Sequence, residues 1–381
     1  MRIWQVLTFI LLAVMPNLAC KKEEHLFSNP SGLMAVFDSY WRQVSTNYMY
    51  WDIDTTDWDG VYRQYRPLFA SLDSNRPADV KTAMVYFRRL SSGLRDNHFY
   101  IHFSAAAVRD SVVFPAYERK LADPAYRPPF DYKPLDITYL DTGYVQGSFT
   151  SSDHRWIWAC AGVIGGNVLY FTCNQFGLGE AFRSGGNGVR TVLDYFFASA
   201  LRPSSPIRLI VLDVRNNPGG DLADLQFFMG RMTGSPVAMG TSKYKSGSGR
   251  LDYTPWIGTS IQPAMAGTGP AAPIVSLVDR YSASLSEVLA MAVDAMPQGK
   301  TVGERTFGAT GPVTDPRLYN NGSFTIPGWM TVNMASAAFR YRDGNIYEGT
   351  GFSPGVPVAF DPSALAAGKD PVLEKALTLV R

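Results

Sequence analysis

The sequence has almost no excess of charge of either sign. It carries 35 Lys and Arg residues against 33 Asp and Glu residues, a formal net charge of +2. Nucleic-acid binding needs a concentrated basic face, so this balance removes any global electrostatic case for a nucleic-acid partner. Charged residues make up 18% of the chain and hydrophobic residues 46%, which excludes a disordered, highly charged tail protein. The 381 residues allow two or three domains, or one large domain with a small companion.

Cysteine and histidine are also scarce. Three cysteines are too few for a disulfide scaffold, and they lack the spacing of a zinc site. No HExxH motif or carboxylate cluster indicates a metal, and we predict no cofactor. The four histidines, at positions 25, 98, 102 and 154, form a short list of candidates for proton transfer. His98 and His102 would lie about 13 Å apart on one face of a strand, too far to share a metal ion.

The long apolar run of this chain lies at its start, and no later run reaches the length of a membrane span. Residues 3–14 are apolar, follow Met1-Arg2 and precede Leu18-Ala19-Cys20, which favours a signal peptide over residues 1–19. Cys20 lies where a bacterial lipoprotein signal has its lipid-accepting cysteine. We therefore predict a lipidated tether over residues 20–32 and an exported protein of the periplasm or outer membrane, held to the membrane by its lipid. An ordinary signal peptide cleaved near Ala19, with Cys20 incidental, is the alternative.

Periodicity divides the rest of the chain into three segments. Apolar residues at helical spacing predict an N-terminal helical bundle over residues 33–103, ending in the segment of His98. Residues 104–155 are rich in Pro, Asp and Tyr and predict a loop-rich connector. From 156 to 381, apolar runs alternate with helical stretches, which predicts an α/β architecture with largely buried parallel strands. The predicted helices there are 188–201, 221–232, 284–296 and 371–380, and the apolar runs are 207–212 and 273–278.

Two cysteines flank a predicted hairpin in this last segment. A two-residue turn at Gly166-Asn167 would place Cys160 opposite Cys173, at a pair where side chains come close. A disulfide between them and a pair of buried free thiols are equal alternatives.

Two strand ends carry residues suited to chemistry. Gly219 and Gly220 follow the run 207–212, and glycines between a strand and a helix let backbone N–H groups face an anion or an oxyanion, although a tight turn explains them equally well. Ser284 follows the run 273–278 at the start of a predicted helix. With Glu287 it fits a helix-capping pair, which is the preferred interpretation from the residues alone. The same position would also suit a nucleophile in a positive backbone field.

Taken together, these segments resemble the tail-specific, or C-terminal-processing, serine peptidases of family S41. The motifs that carry the resemblance occur in the family's order: Leu94-Arg-Asp-Asn-His98, Asp213-x-Arg-x-Asn-x-Gly-Gly220, Ser282-Ala-Ser-x-Ser-Glu287, Val302-Gly-Glu-Arg-Thr-Phe-Gly308 and Glu348-Gly-x-Gly-x-x-Pro354. They cover roughly residues 33–381. The resemblance implies a crotonase/ClpP-like β–α spiral core over 156–381, and hydrolysis of protein or peptide substrates.

The same resemblance implies roles for individual residues. The family nucleophile falls on Ser284. The lysine of the family's Ser/Lys branch falls on Ala309, so the chain is closer to the tricorn-like branch, in which His98 would be the general base and Glu348 would orient it. The amides of Leu285 and Gly219 would form the oxyanion hole, since Pro218 has no N–H. Asn97, in the place of a serine of that branch, is an accessory candidate.

Other functions stay open. The departures at Asn97, Ala309 and Gly355 suit a non-catalytic ligand- or peptide-binding lipoprotein on the same fold, and an acyl-enzyme could also process a non-peptide ester or amide. His98 could be a core histidine without a chemical role. Because the connector is too short for a complete PDZ domain, substrate choice would depend on the groove itself.

Overall fold

The computed structural model describes residues 31–313 and 317–380. The predicted signal peptide (1–19), the lipidation site Cys20 and all but the end of the tether (20–32) lie outside the described residues. Within these two ranges, no helix is both long enough and apolar enough to cross a membrane.

The helices and strands follow one another along the whole described chain. The helices are α1 (Leu33–Asn47), α2 (Trp58–Ala70), α3 (Pro77–Ser91), α4 (Pro115–Ala122), α5 (Lys133–Asp136), α6 (Leu178–Ser184), α7 (Gly188–Leu201), α8 (Ala223–Met229), α9 (Leu285–Ala295), α10 (Pro362–Ala366) and α11 (Pro371–Leu377). The strands are β1 (Tyr100–Phe103), β2 (Val112–Val113), β3 (Val145–Thr150), β4 (Trp156–Ile164), β5 (Val168–Cys173), β6 (Leu209–Asp213), β7 (Val237–Tyr244), β8 (Ile257–Ile261), β9 (Ile274–Val278), β10 (Lys300–Gly303), β11 (Ser323–Ile326), β12 (Met330–Asn333), β13 (Ala337–Tyr341) and β14 (Val356–Pro357).

The core of the molecule is a mixed sheet in the order β14-β10-β9-β6-β5-β4-β3. Strands β14 to β5 run parallel, and β4 and β3 add antiparallel at one edge. Strands β6 and β9 are buried at every position, as parallel strands covered on both faces must be. Helices α7, α8 and α9 pack on one face and α11 on the other. This arrangement confirms the predicted α/β fold class.

The N-terminal region is built from helices α1 to α3 around an aromatic core. Phe37 stacks on Phe69 with ring centroids 4.6 Å apart, and Tyr40 packs edge-on against Phe87. These helices pack with a second sheet in the order β11-β12-β1-β2. Sequence periodicity assigned residues 323–333 to the core. The structure pairs them with β1 instead, because the apolar residues of β11 and β12 join the hydrophobic cluster of the N-terminal region.

The connector is attached to the core by a buried ionic cluster. Asp136 at the end of α5 faces Arg215, whose guanidinium also pairs with Asp213 at 2.6 Å and Asp370 at 2.7 Å. Burying a charge is costly unless it is paired, so this cluster is stable only as a set. The last part of the connector, β3, is itself an edge strand of the core sheet.

The two cysteines of the predicted hairpin are free thiols. Strands β4 and β5 pair Ile164 with Val168, which leaves three residues in the turn instead of two. The register is therefore shifted by one residue, and Cys173 lies opposite Ala159. Since neighbouring strand residues point to opposite faces, Cys160 and Cys173 face different sides of the sheet. Of the two equal alternatives, the disulfide is therefore wrong and the pair of buried free thiols agrees with the structure.

Candidate active site

Ser284 occupies a strained turn between β9 and α9. Its φ is 55° and its ψ is −121°, a conformation that non-glycine residues rarely adopt and that often marks a functional site. Gly219 packs directly against this turn. A Cβ atom on Gly219 would lie 2.7 Å from the Cβ of Ser284, so only glycine fits there. The two strand ends singled out from the sequence are therefore in contact.

Glu287 holds this turn from inside the protein. One of its carboxylate oxygens accepts the Ser284 N–H at 3.1 Å and the Ala309 N–H at 2.7 Å. The other oxygen accepts the Gly308 N–H at 2.7 Å and the Thr306 hydroxyl at 2.5 Å. Burial raises the pKa of Glu287 to about 7, and these donated hydrogen bonds oppose the rise.

His98 comes from the N-terminal region, just before β1, and reaches the serine. Its Nε2 lies 3.0 Å from the Ser284 Oγ. The backbone around it is held by Asp96, whose carboxylate accepts the His98 N–H at 2.8 Å and the Ala335 N–H at 2.7 Å. Burial lowers the pKa of His98 to about 4. The ring is therefore neutral near pH 7, which is the form that can accept a proton.

Glu348 lies beneath the His98 segment but does not contact the ring by a hydrogen bond. Its carboxylate accepts the Asn97 N–H at 2.7 Å on one oxygen, and the Thr310 and Gly311 N–H groups at 2.7 Å each on the other. The Nδ1 of His98 has no hydrogen-bond partner among the described residues. Ligand atoms of Asp96, His98 and Glu348 nevertheless lie within 4.8 Å of one another. Burial raises the pKa of Glu348 well above its usual range, and the nearby Asp96 carboxylate adds to the rise.

That trio could in principle hold a metal ion. Both carboxylates already accept backbone N–H groups, and the ring of His98 faces Ser284. Apart from His98 Nδ1, the donor atoms are therefore engaged in holding the backbone and the serine. We interpret the trio as a proton-handling group rather than as a metal centre.

The segment 306–311 links the two halves of the site. Its first residues donate to Glu287, on the serine side, and its last residues donate to Glu348, on the histidine side. Ala309 contributes its backbone N–H to this link. The position that would hold a lysine in the Ser/Lys branch thus supports the site through its main chain.

The two predicted oxyanion donors differ in the structure. The Leu285 N–H, in the first turn of α9, has no acceptor among the described residues. The Gly219 N–H, in contrast, donates to the Asn217 side chain at 2.9 Å. Gly220 is the next residue, and it lines the same cavity as Ser284 and Leu285. Its N–H has no acceptor within the described ranges, so Gly220 is better placed than Gly219 to donate to an oxyanion.

Asn97 connects the site to the connector. Its side-chain oxygen accepts a hydrogen bond from Arg119 on α4 at 3.0 Å, and its amide donates to the Phe307 carbonyl at 3.2 Å. The accessory candidate thus bridges the connector and the segment 306–311.

Three further residues shape the site, namely Asp96, Glu287 and Tyr50. Asp96 was visible within the Leu94–His98 motif, and Glu287 was considered only as a helix cap. Tyr50 belongs to none of the motifs described in the sequence. Its buried hydroxyl lies close to Glu348, and burial together with the charge of Glu348 raises the pKa of Tyr50 well above its usual range. Their presence within the motifs that also contain His98 and Ser284 is the signal that could have identified Asp96 and Glu287.

The chain is similar to known peptidases in sequence family and in fold. Residues 167–358 match the model of peptidase family S41, and residues 34–76 match that of the tricorn protease C1 domain. No curated protein sequence matches the chain significantly. A candidate peptidase from Parabacteroides merdae ATCC 43184 is 22% identical with a TM-score of 0.67, covering 92% of this chain and 97% of that chain. Mature CPAF is 10% identical with a TM-score of 0.59, covering 91% of this chain and 95% of that chain. At these identities the solved structures show a shared fold.

Proposed function

Because the family model covers residues 167–358, the chain belongs to peptidase family S41 and is a serine-type peptidase, and we propose that it is an exported endopeptidase of the Ser/His/Glu branch. In this proposal Ser284 is the nucleophile, His98 is the general base and Glu348 supports the base. The observation that carries the proposal is the 3.0 Å distance between His98 Nε2 and Ser284 Oγ.

The reaction begins when His98 Nε2 takes the hydroxyl proton of Ser284. Oγ then bonds to the carbonyl carbon of the substrate, and the carbonyl oxygen becomes an oxyanion that accepts hydrogen bonds from the amides of Leu285 and Gly220. His98 passes its proton to the departing amine as the peptide C–N bond breaks. Water, deprotonated by His98, then releases the acyl group from Ser284 and restores the hydroxyl.

Glu348 and Asp96 act on His98 through charge and backbone. Glu348 accepts the Asn97 N–H and Asp96 accepts the His98 N–H, so they fix the two successive amides that lead into the catalytic residue. The imidazolium that forms during the reaction lies within 4.8 Å of both carboxylates, and its positive charge favours their ionised forms against the effect of burial. Ala309 and Gly355, two of the three departures from the family motifs, take part through their backbone N–H groups, which donate to Glu287 and to Thr301. Both substitutions are therefore compatible with a working site.

The test combines a fluorophosphonate probe with peptide hydrolysis. Ser284→Ala is expected to lose both labelling and hydrolysis. Ser286→Ala is the matched control, because Ser286 belongs to the same motif and its buried hydroxyl has no partner within the described ranges. Peptide binding by the wild type without labelling or hydrolysis would instead support the binding-protein alternative.

Export and lipid anchoring rest on the sequence of residues 1–20. When expressed in a Gram-negative host, the wild-type protein should be found in the membrane fraction and should incorporate labelled fatty acid. The Cys20→Ala variant should be absent from the membrane fraction and should remain unlabelled. Membrane association unchanged by that substitution would contradict the lipid anchor.

A further inference from the structure

A cavity of about 400 Å³ opens beside Ser284, within the size range of ligand pockets. Its wall combines apolar side chains from four different helices and strands with uncharged hydroxyl side chains such as Ser242 and Thr259. Met239 and Phe339 come from the paired strands β7 and β13, Leu225 from α8 and Val288 from α9. These four are at most 9% exposed, whereas Leu222 is 45% exposed and lies at the mouth.

Charge is nearly absent from this cavity. Among the described residues that line it, Asp221 is the only one with an acidic or basic side chain. Its carboxylate already accepts hydrogen bonds from Arg155 at 3.1 Å. A charged group entering the cavity would lose its hydration without gaining a free partner of opposite sign, while an apolar group would gain by leaving water.

The position of the cavity determines which part of a substrate can enter it. Ser284 and Leu285 line it, and they would hold the carbonyl carbon and oxygen of the scissile bond. His98 does not line it, and the leaving amine must depart toward His98 to receive its proton. The cavity is therefore on the acyl side of the scissile bond.

We infer that this cavity is the specificity pocket for the residue whose carbonyl is attacked, and that it selects medium-to-large apolar side chains such as Leu, Met and Phe. The inference rests on the proposed function and adds the substrate class to it. The exposed Leu222 extends the apolar surface from the pocket to its mouth, so that a side chain of this kind is in apolar contact before it is fully buried.

The pocket is tested with a series of peptides that share one sequence and differ only at the residue on the acyl side. kcat/KM for Leu, Met and Phe should exceed that for Asp and Lys by at least about tenfold. Peptidyl boronic acids carrying the same residues should block fluorophosphonate labelling of Ser284 in the same order, which provides a readout independent of turnover.

Two variants change different properties of the pocket, its volume and its charge. Val288→Phe fills it and should shift the preference from Leu and Phe to Ala. Leu222→Arg places a cation at the mouth and should raise kcat/KM for an acidic residue relative to Leu by several fold. Leu251→Arg is the matched control, since Leu251 is 63% exposed and outside the cavity, and it should keep the wild-type preference. Thermal unfolding and the fraction of labelled serine identify variants that fail to fold.

The outcomes separate the inference from the function on which it rests. Hydrolysis with equal or better cleavage after charged residues would overturn the apolar pocket and leave the serine peptidase mechanism standing. An absence of both hydrolysis and labelling in folded wild-type protein would overturn the proposed function, and the pocket assignment with it.

Discussion

The serine side and the histidine side of the site are held in different ways. Ser284 is held by a residue of its own helix, Glu287, three positions along the chain. The His98 segment is held by Asp96, which also accepts the Ala335 N–H, and by Glu348. The proposed nucleophile is thus positioned mainly by its own turn, in which Glu287 is also bound by residues 306–309, whereas the proposed base depends on contacts of the N-terminal region with distant parts of the chain.

The two sides of the site should therefore differ in their sensitivity to substitutions elsewhere in the chain. The conformation of Ser284 depends mainly on the β9–α9 turn and on the packing of Gly219. The 3.0 Å approach of His98 requires the N-terminal region, the segment 306–311 and Glu348 to be assembled together. Changes on the histidine side should therefore affect catalysis through geometry as well as chemistry.

The largest expected effect is the removal of the base. His98→Ala should reduce kcat/KM by about 10⁴-fold, since no other group can take the serine proton efficiently. His102→Ala is the matched control, because His102 lies on β1 and is exposed, and it should retain activity close to wild type. Peptide hydrolysis at pH 7 measures both. If His98→Ala kept activity within tenfold of wild type, the base would have to be another residue.

The second-largest expected effect is a loss of stability when either of the two buried glutamates is replaced. Glu348→Gln and Glu287→Gln each replace a carboxylate oxygen, which accepts N–H groups, by an amide NH₂ that cannot. Each should lower the free energy of unfolding by about 2–4 kcal/mol, because buried donors lose their acceptor. Urea unfolding measures the loss, and Glu118→Gln, which removes a part-exposed ion pair with Arg88, should cost at most about 1 kcal/mol.

The same two variants also test how the serine side and the histidine side of the site differ in their effect on reactivity. Among molecules that remain folded, Glu348→Gln should slow fluorophosphonate labelling by about 10²-fold through misplacement of His98. If both glutamine variants left stability and labelling at the wild-type level, the linking role of the segment 306–311 would be wrong.

The smallest effect concerns pH. Burial lowers the pKa of His98 to about 4, and only the neutral ring accepts the serine proton. Activity should therefore persist below the ordinary histidine pKa and fall as the pH drops through about 4. The pH dependence of kcat/KM measures this limb in the free enzyme. A limb at or above pH 6.5 would show that the charges of Asp96 and Glu348 outweigh burial.

Local patterns predicted the secondary structure of the core closely. Helix α7 spans the predicted residues 188–201, and α9 differs from the predicted 284–296 by one residue at each end. The spacing of apolar residues determines such elements within one segment of chain. The cysteine register failed because a single extra turn residue, which no periodicity reveals, moves a whole strand by one position.

Long-range contacts were beyond sequence reasoning. The resemblance identified Ser284, His98 and Glu348, and the structure brings the first two within hydrogen-bond distance. That Glu348 contacts the backbone of Asn97 instead of the ring of His98 depends on how two regions pack. The proposal of the Gly220 amide in place of the predicted Gly219 amide likewise depends on one side-chain contact, the hydrogen bond that the Gly219 N–H donates to Asn217.

The pairing of β1 with β12 has a consequence for folding during synthesis of the chain. The sheet that supports His98 needs strands made long after the helical bundle, so this half of the site is completed late in synthesis. A chain whose core has folded alone would carry a serine and oxyanion amides but no base. Strands β11 and β12 precede β14 and α11 of the core in the chain, so a chain that ends before residue 323 would lack the sheet that supports His98 and also Glu348 and the last core elements.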